Sequence, residues 1–243
     1  MIHRAWLFAM LVLLAMLLAG CRAALPVYAA MSDDDALRTL ADRQAGISSI
    51  SGECGLVLTS EDGQSIHLDA VLVAQPPRRA RLRAWKFGRA VLDLTIIDGE
   101  VWLVAPEDQS PSHRIDPQRT PARQVSDAIG LLGPAYFRAA HMVATGASTF
   151  TVSGPALGRD DLRCEIDRAT LTPRRFFAPG DRGAGYSEMC FEDYSLIENI
   201  PWALTMRFHG SGGEIVIRLH DIELNGEIAA GAFVPPQRAI RLP

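Results

Sequence analysis

The sequence predicts an α+β protein: a strongly curved antiparallel sheet of about nine to eleven strands, with helices covering its concave face. Three observations carry this. Most of the chain is cut into short segments whose apolar and polar residues alternate with period two, separated by Gly-, Pro- and Asp-rich turns. The alternation is single-sided, so many strands share one apolar face and the sheet must curve to bury it. Helical spacing is confined to two regions, and these are the only candidates for the cover.

The chain opens with a short positive stretch, Met1-Ile2-His3-Arg4, followed by an unbroken apolar run over residues 6–19. That run is too short for the ~20 residues of a membrane span and fits the ~7–15 of a secretory leader. It ends in Leu18-Ala19-Gly20-Cys21, which resembles a bacterial lipobox. The resemblance implies a diacylglyceryl group on the Cys21 thiol and cleavage just before it. Residues 1–20 are then a lipoprotein signal peptide, 21–31 the acylated cysteine and a tether, and 32–243 a single domain. The alternative is an ordinary signal peptide cut after Ala29, with Cys21 lost. Arg22 rather than Asp after the cysteine resembles the sorting signal for the outer membrane.

Ser32 followed by Asp33-Asp34-Asp35 is a helix start, a hydroxyl cap with carboxylates at the positive end of the dipole. Ala36, Leu37, Leu40 and Ala41 recur at helical spacing until Gly46. Period two then takes over. Leu56 and Leu58 form one strand and Ile66, Leu68, Ala70 and Leu72 the next, across the turn Glu61-Asp62-Gly63-Gln64. After Pro76-Pro77, Arg79, Arg81 and Arg83 alternate with Ala80, Leu82 and Ala84, which places the arginines on a solvated or partner-facing side. Lys86-Phe87-Gly88-Arg89 and Asp98-Gly99 turn the next two strands into a meander. Residues 105–121 are polar and proline-rich and cannot be a central strand. Thr120-Pro121 opens a second helix with Val125, Ala128, Ile129 and Leu132 as its stripe. Gly133-Pro134 breaks it, and Tyr136, Phe137 and Ala140 suggest a further helical piece. Strands follow near residues 149–153, 162–167, 174–177 and 186–195. Two more, carrying Leu204, Met206 and Phe208, then Ile215, Ile217 and Leu219, flank a Gly-rich turn.

Charge and motifs exclude several classes. With 24 basic and 28 acidic residues, a net charge of −4 and Lys86 as the single lysine, the chain lacks the clustered cations of a nucleic-acid binder. A hydrophobic content of 48% against 21% charged excludes a disordered chain. No cofactor motif, metal-ligand spacing or catalytic signature is present, so no enzymatic activity is expected. His67 and Asp69 share a strand face and are the first place to look for a hydrolase. His209 is expected opposite Glu214 across the last hairpin. The glycines of 180–185 lack the Lys-Ser/Thr of a phosphate loop. Beyond Cys21, the odd set Cys54, Cys164 and Cys190 permits at most one bridge, and the spacing does not choose the pair.

The opening helix with Ile50-Ser51-Gly52-Glu53-Cys54-Gly55, then Arg81-Leu82-Arg83-Ala84-Trp85-Lys86-Phe87-Gly88, then Asp98-Gly99-Glu100-Val101-Trp102 and the ending Phe233-Val234-Pro235-Pro236, together resemble the LolA/LolB-like superfamily of envelope lipoprotein carriers and receptors. The resemblance implies an unclosed half-barrel plugged by helices that holds acyl chains without covalent chemistry. It implies a lipid-anchored envelope protein, facing the periplasm from the outer membrane. Its partners would be the membrane, through acyl chains on Cys21, and lipoproteins, lipids or a periplasmic carrier. A receptor of that superfamily is expected to expose an apolar loop, but 105–121 is polar, with Ile115 its only aliphatic residue beyond Ala and Pro. A structural or sensing lipoprotein with no transported ligand is the alternative. Pleat alternation puts Leu82, Leu92, Leu94, Met206, Phe208, Ile217 and Leu219 on the apolar faces that would line the cavity, with Arg81, Arg83, Asp93, Arg207 and Arg218 pointing the other way.

Overall fold

The structure, a computed structural model, describes residues 24–104, 134–156, 159–177, 186–210 and 213–242. The leader, Cys21, the long polar connection, the helix expected from Thr120 and the Gly-rich 180–185 lie outside the described residues.

Helix α1 spans Asp33–Ala45. Ser32 caps it twice over: its hydroxyl accepts from the Asp35 backbone N–H at 3.2 Å and donates to the Asp35 carboxylate at 2.6 Å. Ala36, Leu40, Ala41 and Gln44 form its buried face. A meander follows: β1 Ile50–Thr59, β2 Ser65–Gln75, β3 Arg79–Lys86, β4 Arg89–Ile97 and β5 Glu100–Val104. Helix α2 is the short Pro134–Ala139. The second half is β6 His141–Thr145, β7 Thr149–Ala156, β8 Arg159–Asp167, β9 Pro173–Phe177, β10 Tyr186–Ile197, β11 Ile200–Gly210, β12 Gly213–Leu224 and β13 Ile240–Arg241.

All thirteen strands join one antiparallel sheet in the order β13-β5-β4-β3-β2-β1-β12-β11-β10-β9-β8-β7-β6. Strands β1 and β12 splice the two meanders, and β13 and β6 are its two edges, so the half-barrel is unclosed. The splice is bent by a bulge between Gly52 and Cys54. A Cβ at Gly52 would lie 2.8 Å from the Asp221 carbonyl oxygen, so a larger residue there would push β12 away.

Thirteen strands exceed the nine to eleven expected. The additions are β6, an exposed edge with no apolar alternation, and β13, two residues pairing Ile240 with Leu103 and Arg241 with Trp102. The arginine row also differs from expectation. Arg79 is exposed, but Arg81 is three-quarters or more covered, because the chain at Ala232 folds over the outer face and accepts from its Nη1 at 3.0 Å. Ahead of α1, the Tyr28 backbone N–H donates to the Ala169 carbonyl at 2.8 Å, and Tyr28 and Met31 pack on the core.

Candidate functional site

The concave face is apolar along whole cross-strand rows. One runs through nine strands: Ile66, Leu58, Ile215, Phe208, Met189, Phe176, Cys164, Val152 and Met142, each in register with the next. A neighbouring row joins Leu68, Leu56, Ile217, Met206 and Phe191. Leu94, Leu82 and Leu72 form a third. All seven residues expected to line a cavity therefore share this one face. Leu82, Leu94, Met206, Phe208, Ile217 and Leu219 are buried, and Leu92 is partly buried at the margin of the same cluster.

Helices α1 and α2 pack on each other and bring their apolar sides to this face. Tyr136, Phe137, Phe176 and Phe191 interlock, with edge-to-face centroid distances of 5.1 Å for Tyr136–Phe137 and 5.6 Å for Phe176–Phe191. The Tyr136 hydroxyl donates to the Leu162 carbonyl at 2.8 Å, which fixes α2 to β8. Beside this cluster lies a cavity of about 20 Å³ lined by Gln44, Phe137, Phe176, Tyr194, Trp202 and Met206. Its size suits about one water molecule.

Two buried polar atoms on that lining, Gln44 Oε1 and Trp202 Nε1, have no hydrogen-bond partner among the described residues. One is an acceptor and the other a donor. Next to Gln44, the Arg43 guanidinium donates from Nη2 to the Leu171 carbonyl. Burial pulls its pKa down, with the neighbouring Tyr28 and Tyr194 opposing. The alternation singled out Leu204, Met206 and Phe208 but stopped short of Trp202, which has the same parity on β11. Gln44 was equally findable, four residues after Leu40 on the buried side of α1.

Cys54, Cys164 and Cys190 are all free thiols. His67 and Asp69 are exposed on the outer side of β2, across the sheet from the apolar rows. Among the described residues no group of three His, Cys, Asp or Glu side chains could hold a metal ion. His209 pairs with Glu214 as the hairpin register demands, at 3.5 Å.

No family model matches the sequence, and no curated protein does. Solved structures do match. A LolA superfamily protein from Nitrosomonas europaea superposes with a TM-score of 0.56 at 11% identity, covering 84% of this chain and 98% of that one. A domain assigned to outer membrane lipoprotein sorting from Vibrio parahaemolyticus gives 0.57 at 11% identity, with coverage of 82% and 95%. A DUF1329 family protein from Desulfovibrio piger gives 0.58 at 10% identity, covering 82% and 94%. The fold is LolA-like.

Proposed function

We propose that this is a lipid-anchored envelope protein that holds acyl chains, of lipids or of lipidated proteins, between the concave sheet face and its helices. The observation that carries this is the nine-strand apolar row on the concave face, against which the two helices among the described residues pack. The row is supported by the likeness to a LolA superfamily protein and a lipoprotein-sorting domain. Leu82, Leu92, Leu94, Met206, Phe208, Ile217 and Leu219 would line the acyl site. The apolar leader and Leu18-Ala19-Gly20-Cys21 support acylation at Cys21, and Arg22 supports retention at the outer membrane. Phe87, 94% exposed at the β3–β4 turn, is an apolar side chain open to a partner, though not the apolar loop expected of a receptor.

The cavity of about 20 Å³ is far below the ~300 Å³ at which small-ligand sites begin. A chain would therefore enter only as the helices lift from the sheet. The same tight interior favours a second reading, a structural or sensing lipoprotein whose concave face is only a core. Native mass spectrometry of the gently extracted protein separates the two. Co-purified lipid supports carriage, and a uniformly ligand-free protein that takes up no fatty acid removes it. Labelling with a palmitate analogue should mark the wild type and not Cys21→Ser.

A further inference from the structure

The outer face of the sheet carries a cleft of about 440 Å³, a volume within the ~300–1,000 Å³ of small-ligand sites. It is built on one cross-strand row in which Arg218 of β12, Gly55 of β1, Asp69 of β2 and Trp85 of β3 stand side by side. At ~4.8 Å per strand, about 14 Å separates the two ends of that row. Its middle is open because Gly55 has no side chain, whereas Glu53 and Val57 on the same side of β1 do. A Cβ at Gly55 would meet only His220 Nε2, at 3.5 Å, which is ordinary contact. Sterics do not require glycine there, and mid-strand glycine weakens a strand, so the missing side chain is space kept open.

The chemistry around that space is mixed. Arg218 and Lys86 are cations on its border, and His67 and His220 add two imidazoles. Arg207, on the adjacent strand, is tied to Glu192 and Glu214. Among the described residues no ion pair includes Arg218 or Asp69. Arg218, at the end of the row away from Trp85, calls for an anionic group. Asp69, however, would repel a ligand that was nothing but anion, and accepts from hydroxyls. Trp85, half-buried and stacked by the Arg83 guanidinium at 5.3 Å, offers an aromatic surface whose negative face suits polarised C–H groups.

We propose that this cleft binds an acidic sugar, a pyranose carrying a carboxylate or a phosphate. The acid group meets Arg218, the hydroxyls meet Asp69 and the imidazoles, and the C–H face of the ring lies toward Trp85. The site is on the opposite side of the sheet from the acyl rows and stands or falls independently of them.

Isothermal titration calorimetry on the full chain tests it with glucuronic acid, glucose 6-phosphate, glucose and inorganic phosphate. Either sugar acid should bind at least tenfold more tightly than both glucose and phosphate, and the stronger of the two identifies the acid. Gly55→Val, which fills the floor with a residue strands favour, should abolish that binding with an unchanged thermal melt. Arg218→Gln, at an exposed position, should erase the preference for acid over neutral sugar. The proposal is overturned if inorganic phosphate binds as well as glucose 6-phosphate, if no sugar acid binds, or if binding survives Gly55→Val.

Discussion

Arg81 on β3 reaches diagonally to Asp93 on β4, whose direct cross-strand neighbour is Arg83, with two parallel hydrogen bonds, Nε to Oδ1 at 2.8 Å and Nη2 to Oδ2 at 2.7 Å. The pair sits on the outer side of the sheet, yet the Asp93 side chain is only 7% exposed and that of Arg81 19%. The third nitrogen of the guanidinium donates to the Ala232 carbonyl, and Phe233 beside it is buried. One arginine thus links two strands to the closing segment that leads into edge strand β13.

Breaking one half of a covered pair strands the other half. Asp93→Ala should cost about 3 kcal/mol, the low end for buried pairs because Arg81 keeps some contact with water. The double variant Arg81→Met/Asp93→Ala should be more stable than Asp93→Ala alone, since the one charge left without its partner is Arg83, which pairs with Asp93 at 3.6 Å and is half-exposed to water. Urea unfolding of the three variants checks the order, and equal stability of single and double variants would contradict it.

The cap on α1 gives a second expectation. Ser32→Ala removes the acceptor for the Asp35 N–H and should cost ~1 kcal/mol. The Ser32 hydroxyl, opposed by what burial there is and aided by Arg38, also holds the Asp35 carboxyl below its ordinary pKa. A depressed carboxyl contributes stability above its unfolded pKa and loses it as pH falls through the folded value. The difference between wild type and Ser32→Ala should therefore shrink in acid, measured by thermal melts across that range.

Much of this architecture was legible in the alternation. Strands β1 to β5, β11 and β12 follow from period two, and Arg81 and Asp93 were correctly assigned to the side away from the apolar rows. Alternation reports which side of the pleat a residue takes, not whether another segment covers that side. The cover on Arg81 comes from Ala232, a contact across 151 residues that no local pattern encodes. Strand β6 was missed because an exposed edge has no apolar face to alternate, and β13 because two residues have no period. The outer cleft was half visible. His67 and Asp69 are a visible pair on one strand, but Gly55, Trp85 and Arg218 join them only through the register of four strands.

Thiol chemistry should distinguish the three cysteines. Burial pushes the Cys54 thiol up to about 12, and burial with the neighbouring Glu165 pushes Cys164 well above the ordinary thiol value. Cys190 is also raised, by burial and then by Glu188 and Glu192, but it is half-buried only. A raised pKa leaves the unreactive thiol form at mildly alkaline pH. Iodoacetamide should label Cys190 slowly and leave Cys54 and Cys164 unmodified until the protein is unfolded in urea. Peptide mapping checks this, and rapid labelling of Cys54 in the native protein would contradict the burial of β1.

The concave face offers the sharpest separation of carriage from scaffold, because Leu92 is only partly buried while Phe208 and Leu94 are fully buried. Phe208 is 1% exposed and is held between Met189 and Ile215. Phe208→Ala should cost ~3–5 kcal/mol through lost burial and the cavity left behind. Leu94→Asn, equally buried, should cost a similar ~2–5 kcal/mol because its amide lies among apolar neighbours. These two variants report on the core whichever function holds. Leu92 packs only partly against the same cluster, so Leu92→Asn should cost about 1 kcal/mol or less. Under the carrier reading Leu92→Asn lowers uptake of a fluorescent fatty acid several-fold while the melting temperature stays nearly constant. A wild type that takes up the fatty acid, with Leu92→Asn matching it in both uptake and stability, would remove Leu92 from the site. If the wild type takes up none, the concave face is a core and the scaffold reading stands.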